Sequence, residues 1–201
     1  MRACLVGLLA LSAEASMLHG QDAAATRVTL YPGDVIAVQI AAEKELTGQF
    51  VGDDRGGVVL PLLGARTVTG IPWGIARDSL LAAYARELRF PVVQLTPLRR
   101  VTVLGHVNLA GLHLLDPQVT IAGAIALAQG ASLDGDLRRV RVVREGVTIV
   151  AEAPIEATVT TLGIRSGDQL FVGRRGWWDR NSGAVVGSLI SAVALLVTVG
   201  R

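Results

Sequence analysis

Four arginines stand close together at Arg138, Arg139, Arg141 and Arg144. Their positive charge has the chemistry to meet an anionic polymer, and the competing reading is a solvated strand face with flanking turns. His106 and His113 flank the turn Asn108-Leu109-Ala110-Gly111, one on each strand of a hairpin, where they could share a metal ion. No third ligand accompanies them, so no metal site is expected. Asp53-Asp54 has the composition of an acid pair, but neighbours on a strand point to opposite faces, and a polar hairpin turn is the expectation. Ser79 follows Asp78 on a helix, without the strained elbow of a nucleophilic serine. The sequence also has no glycine-rich phosphate loop. These residues support no catalytic mechanism, and neither an enzyme nor a cofactor is expected.

The chain has 201 residues, enough for one or two small domains with a core. Hydrophobic residues make up 51% of it and aromatics only 4%, so Val, Leu, Ile and Ala must build that core. The net charge of +2 gives no bulk electrostatic case for nucleic acid. The first residues read as an export signal: Met1-Arg2 is positive, Ala3 to Leu11 is apolar, and Ala13-Glu14-Ala15 fits small-residue cleavage. Cleavage after Ala15 is expected, with Ala25 as second choice and an uncut anchor as the alternative. The only cysteine, Cys4, lies in that segment, so the processed chain would have no disulfide or cysteine metal site.

The elements that must position any site follow from patterning. Pro32, Gly33 and Asp34 make a turn ahead of a strand over Val35 to Ile40. Trp73, Ala76, Leu80, Tyr84 and Leu88 recur at helical spacing and predict a helix over Trp73 to Leu88. Phe90-Pro91 ends it and Val92 to Leu95 is a short strand. Two strands surround Ala110-Gly111, Thr120 caps a helix over Ile121 to Gln129, and Arg139 to Val143 alternates as a half-buried strand. Gly167-Asp168 repeats the Gly33-Asp34 theme ahead of a last strand. Mixed elements with short connections predict an α+β fold of two small units, breaking near Thr96-Pro97.

Taken in order, these segments resemble the bacterial polysaccharide biosynthesis/export family. Tyr31-Pro32-Gly33-Asp34, Leu46-Thr47-Gly48-Gln49-Phe50 and Leu60-Pro61-Leu62-Leu63-Gly64 are similar to its polysaccharide export domain, here residues 26–97. Val103-Leu104-Gly105-His106-Val107, Ala110-Gly111, the helix from Thr120 to Gly130 and Arg138 to Arg144 resemble its soluble-ligand-binding β-grasp domain, residues 98–175. The family usually has Pro-Gly at Ala110-Gly111 and Ala-Gly-Gly at Ala128-Gln129-Gly130, and the usual lipobox cysteine is missing. Residues 1–15 read as a signal peptide by themselves, and the resemblance implies periplasmic soluble domains and a homo-oligomeric ring in the outer membrane. It also implies a capsular or extracellular polysaccharide as cargo and an inner-membrane polysaccharide co-polymerase, often with tyrosine kinase activity, as partner.

The tail is expected to be a transmembrane helix over residues 183–199, about 25 Å long at ~1.5 Å per residue. Gly183 and Gly187 form a close-packing motif, and Gly187, Ser191, Ala194 and Thr198 make a small-residue stripe for helix packing or pore lining. Trp177, Trp178 and Arg180 suit the membrane interface. Two functions compete: a ring-shaped conduit for polysaccharide, and a membrane-tethered module that binds a glycan or protein without a pore.

Overall fold

The computed structural model describes residues 28–41, 43–90 and 92–176. Regular structure among these residues comprises nine strands, two α-helices and one short 3-10 helix (Lys44–Leu46). The strands are β1 (Val35–Ile40), β2 (Gly48–Val51), β3 (Gly57–Leu60), β4 (Gly64–Thr67), β5 (Val93–Gly105), β6 (Gly111–Leu115), β7 (Gly135–Arg144), β8 (Val147–Val150) and β9 (Gln169–Arg174). The helices are α1 (Trp73–Glu87) and α2 (Ile121–Leu127). The chain forms two compact units: one from residues 28–101, 114–119 and 158–167, the other from 102–113, 120–157 and 168–176.

In the first unit β1 lies between β2 and β5, antiparallel to both. Its alternation buries Ile36, Val38 and Ile40 in one cluster with Trp73, Ala76, Leu80 and Tyr84 of α1. Those four helix positions repeat every three to four residues, so one stripe of α1 faces the core. The helix ends one residue short of the expected Leu88, which is already extended. The β3–β4 hairpin forms a separate two-stranded sheet and adds Val58 and Leu60 to the same core.

In the second unit β9 is parallel to β5 over Thr102 to Gly105 and antiparallel to β7, which carries β8 on its other side. Val103, Val140, Val142, Leu170 and Val172 share one face, and none of them is exposed. The Thr120 hydroxyl caps α2 by accepting the Gly123 N–H at 3.1 Å. This helix stops at Leu127 rather than Gln129, because Gln129 and Gly130 both turn left-handed, with φ of 60° and 81°.

The α+β expectation is corrected. Strands take 42% of the described residues and helices 17%, making the structure mostly β with mixed strand pairing. The reason lies in β5. Thr96-Pro97 reads locally as a break, yet the strand runs on through it for 13 residues. Proline is tolerated in a strand where its missing N–H faces no ladder partner, and β5 is paired with β9 only from Thr102. Within the first unit Leu95, Pro97, Arg99 and Val101 alternate as buried positions along it.

The expected C-terminal transmembrane helix is likewise unsupported: no helix among the described residues is long and apolar enough to cross a membrane. The segment 183–199, with Gly183, Gly187, Ser191, Ala194 and Thr198, lies outside the described residues, as do Trp177, Trp178, Arg180, Pro91 and the leader with Cys4 and His19.

Candidate functional site

The arginine-rich strand β7 begins irregularly. Its register against β9 shifts between Asp136 and Val140, and the extra residues of such a bulge re-aim side chains. Asp136 holds this segment by accepting the Arg138 N–H at 3.0 Å and lying 3.5 Å from the Arg139 guanidinium. Gly173 of β9 lets the bulge approach: a Cβ there would sit 2.8 Å from both the Cβ and the carbonyl oxygen of Arg139. Leu137, Arg138 and Arg139 are all exposed as a result.

The four arginines are thereby brought together on one strand but given different surroundings. Arg138 stands at the rim of two clefts. One, of about 500 Å³, is lined by Leu137, Arg138, Glu152, Pro154, Ile155 and Glu156 among others. The other, of about 300 Å³, is lined by Asp136, Leu137, Arg138 and Arg175. Arg141 is exposed, and its guanidinium carbon lies 4.1 Å from the centre of the Phe171 ring. Arg144 turns towards the side of Val140 and Val142. There it grips the buried Asp168 with two bonds of 2.7 Å, one from Nε and one from Nη2. Arg144 therefore braces the unit, and the surface available to a ligand belongs to Arg138, Arg139 and Arg141.

The two Gly-Asp turns are structural, with a buried carboxyl group at the heart of each. Gly33 and Gly167 take φ of 80° and 95°, which favours glycine. Asp34 is 3% exposed and accepts the Tyr31 N–H at 2.8 Å and the Ser166 hydroxyl at 2.6 Å, with Arg99 Nε at 3.9 Å. Burial pushes the Asp34 carboxyl above the usual carboxylate range, outweighing the opposing pull of Ser166, Tyr31 and Arg99. Arg99 is itself buried and donates to the carbonyl oxygens of Ile164 and, at 3.3 Å, Thr29. The Tyr31 ring has guanidinium carbons at 5.5 Å (Arg99) and 4.5 Å (Arg165). Pro32 is exposed at the start of the first turn, and Gly111 opens β6.

The remaining candidates serve local structure. Asp53 accepts the N–H groups of Arg55 at 3.0 Å and Gly57 at 2.6 Å, so it closes the turn before β3. The His113 ring meets the Leu109 carbonyl at 3.1 Å, and the described residues contain no group of three potential metal ligands. No protein-family model and no curated protein matches this chain.

Two kinds of residue escaped sequence reasoning. Arg99 shares its parity with Leu95, Val101 and Val103, so strand alternation through Pro97 would have placed it inside. Phe171 partners Arg141 only through the β7–β9 register, and no local signal carries that.

Proposed function

We propose that the chain is a subunit of an oligomeric outer-membrane translocon that exports capsular or extracellular polysaccharide through a ring-shaped pore. Its described units stand in the periplasm in this reading, after export by the N-terminal signal. The observation that carries it is the exposed arginine surface of β7, where Arg138 borders two open clefts and Arg141 lies on an aromatic ring. Such a surface offers a long polymer repeated, shallow contacts rather than a closed pocket. The ordered segments from Tyr31 to Arg144 that resemble the export family support the same reading. Transport is passive through a hydrated lumen, driven by the inner-membrane co-polymerase/tyrosine kinase that hands over the polymer.

A second reading is a periplasmic glycan- or protein-binding module without a pore. It is favoured by the confinement of the arginine surface to one unit. The mass of the full-length protein, purified in several mild detergents, separates the two. A closed ring of many copies is the expected result, and a monomer or dimer under every condition would refute the translocon.

A further inference from the structure

The arginines of β7 differ in what already holds them. Arg144 closes on Asp168 and Arg139 lies 3.5 Å from Asp136, so each meets a carboxylate. Arg141 meets a ring instead, with its guanidinium carbon 4.1 Å from the Phe171 centroid.

Strand register fixes what surrounds this pair. Arg141 is opposite Phe171, which is beside Leu104; Val143 is opposite Gln169, which is beside Thr102. Residues directly opposite share a face, so these six form one surface. Arg141 and Gln169 are exposed, and the other four are half-buried. None of the six is acidic. The surface is a half-apolar floor with a cation at one edge, and none of its six positions carries a carboxylate.

We infer that this face binds a carboxylate-bearing polysaccharide segment, with Arg141, held on the Phe171 ring, as the carboxylate ligand and Leu104 beneath the C–H face of a sugar ring. The inference rests on the export reading and names the class of polymer exported. Stacking occupies the flat face of the guanidinium, whereas its N–H donors lie in the plane at its edge. The ring thus orients Arg141 without consuming the donors a carboxylate needs, which lowers the entropy lost on binding. A charge-assisted bond of this kind is about twice as strong as a neutral one, so acidic sugars are favoured over neutral ones. An anionic membrane surface is a poorer fit, because such surfaces are read by clusters of roughly 4–8 basic residues and the exposed arginines of β7 are three, Arg138, Arg139 and Arg141.

The test titrates the full-length protein with polygalacturonate oligomers, dextran oligomers and phosphatidylglycerol vesicles, at low and high salt. The expected result is binding of polygalacturonate at least tenfold tighter than dextran, weakened by salt. Arg141→Gln should lose about tenfold in affinity, about 1.4 kcal/mol, with circular dichroism unchanged. Arg141→Lys should fall between, because it keeps the charge and loses the planar stack. Should Arg141→Gln misfold, Phe171→Leu gives the second reading, keeping the apolar floor and losing part of the affinity. Equal binding of dextran, no binding of polygalacturonate, unchanged affinity in Arg141→Gln, or Arg141-dependent binding of vesicles alone would overturn the inference. Failure of the export reading shows separately, as normal surface polymer in cells lacking the protein; export of a neutral polymer would overturn only the acidic specificity.

Discussion

Replacing Arg144 by methionine should destabilise the second unit far more than its position among surface arginines suggests. Asp168 is 1% exposed and receives two 2.7 Å bonds from that guanidinium. Removing one member of a buried ion pair costs about 3–5 kcal/mol, because the remaining charge keeps its desolvation penalty. The Arg144 side chain is 29% exposed, so water can reach part of the vacated space and the low end, roughly 3 kcal/mol, is expected. That is about a hundredfold in the folding equilibrium. With a urea m-value of about 1–3 kcal/mol per M, the midpoint should fall by roughly 1–3 M. Urea unfolding followed by circular dichroism measures it, alongside the double variant Arg144→Met/Asp168→Leu. The double variant should recover most of the loss, since apolar replacement of both partners is often neutral or stabilising. A cost below about 1 kcal/mol for Arg144→Met, the value of an exposed pair, would refute the claim that Asp168 depends on it.

Three further outcomes follow from the geometry. Gly173→Ala should cost about 1–3 kcal/mol by overpacking, since its Cβ would lie 2.8 Å from the Arg139 backbone oxygen; thermal unfolding checks it. Thr120→Ala should cost about 1 kcal/mol, the usual loss of an N-cap, because the hydroxyl accepts the Gly123 N–H; urea unfolding gives the value. Asp34 holds its proton to higher pH in the folded state than in the unfolded state. Folded molecules therefore bind more protons between about pH 3.9 and the raised value, and stability falls as pH rises through that window. Asp34→Asn should remove that slope, and parallel unfolding curves against pH for the two proteins would contradict it.

Some of this was legible in the sequence. The core stripe of α1 could be read from the spacing of Trp73, Ala76, Leu80 and Tyr84, because a helix face is a local property. The Thr120 cap and the Gly33-Asp34 and Gly167-Asp168 turns could be read for the same reason. The fold class was not legible, because Pro97 looks like an interruption until β1 is known to pair with β5 across it. Nor could the sequence show that Ser166 reaches Asp34 from 132 residues away, a contact that only the assembled chain creates. In the arginine cluster, the charge was visible but the division of labour was not. Parity with Val140 and Val142 turns Arg144 inward, and the β7–β9 register sets Arg141 on Phe171.

A translocon is recognised by where the polymer goes. Cells that make a surface polysaccharide through this protein should, when its gene is deleted, still synthesise the polymer but retain it inside the outer membrane. Reintroducing the intact chain should restore it to the surface. The measurement is the ratio of surface to retained polysaccharide in the two strains. A collapse of that ratio is predicted, and an unchanged ratio would contradict the translocon.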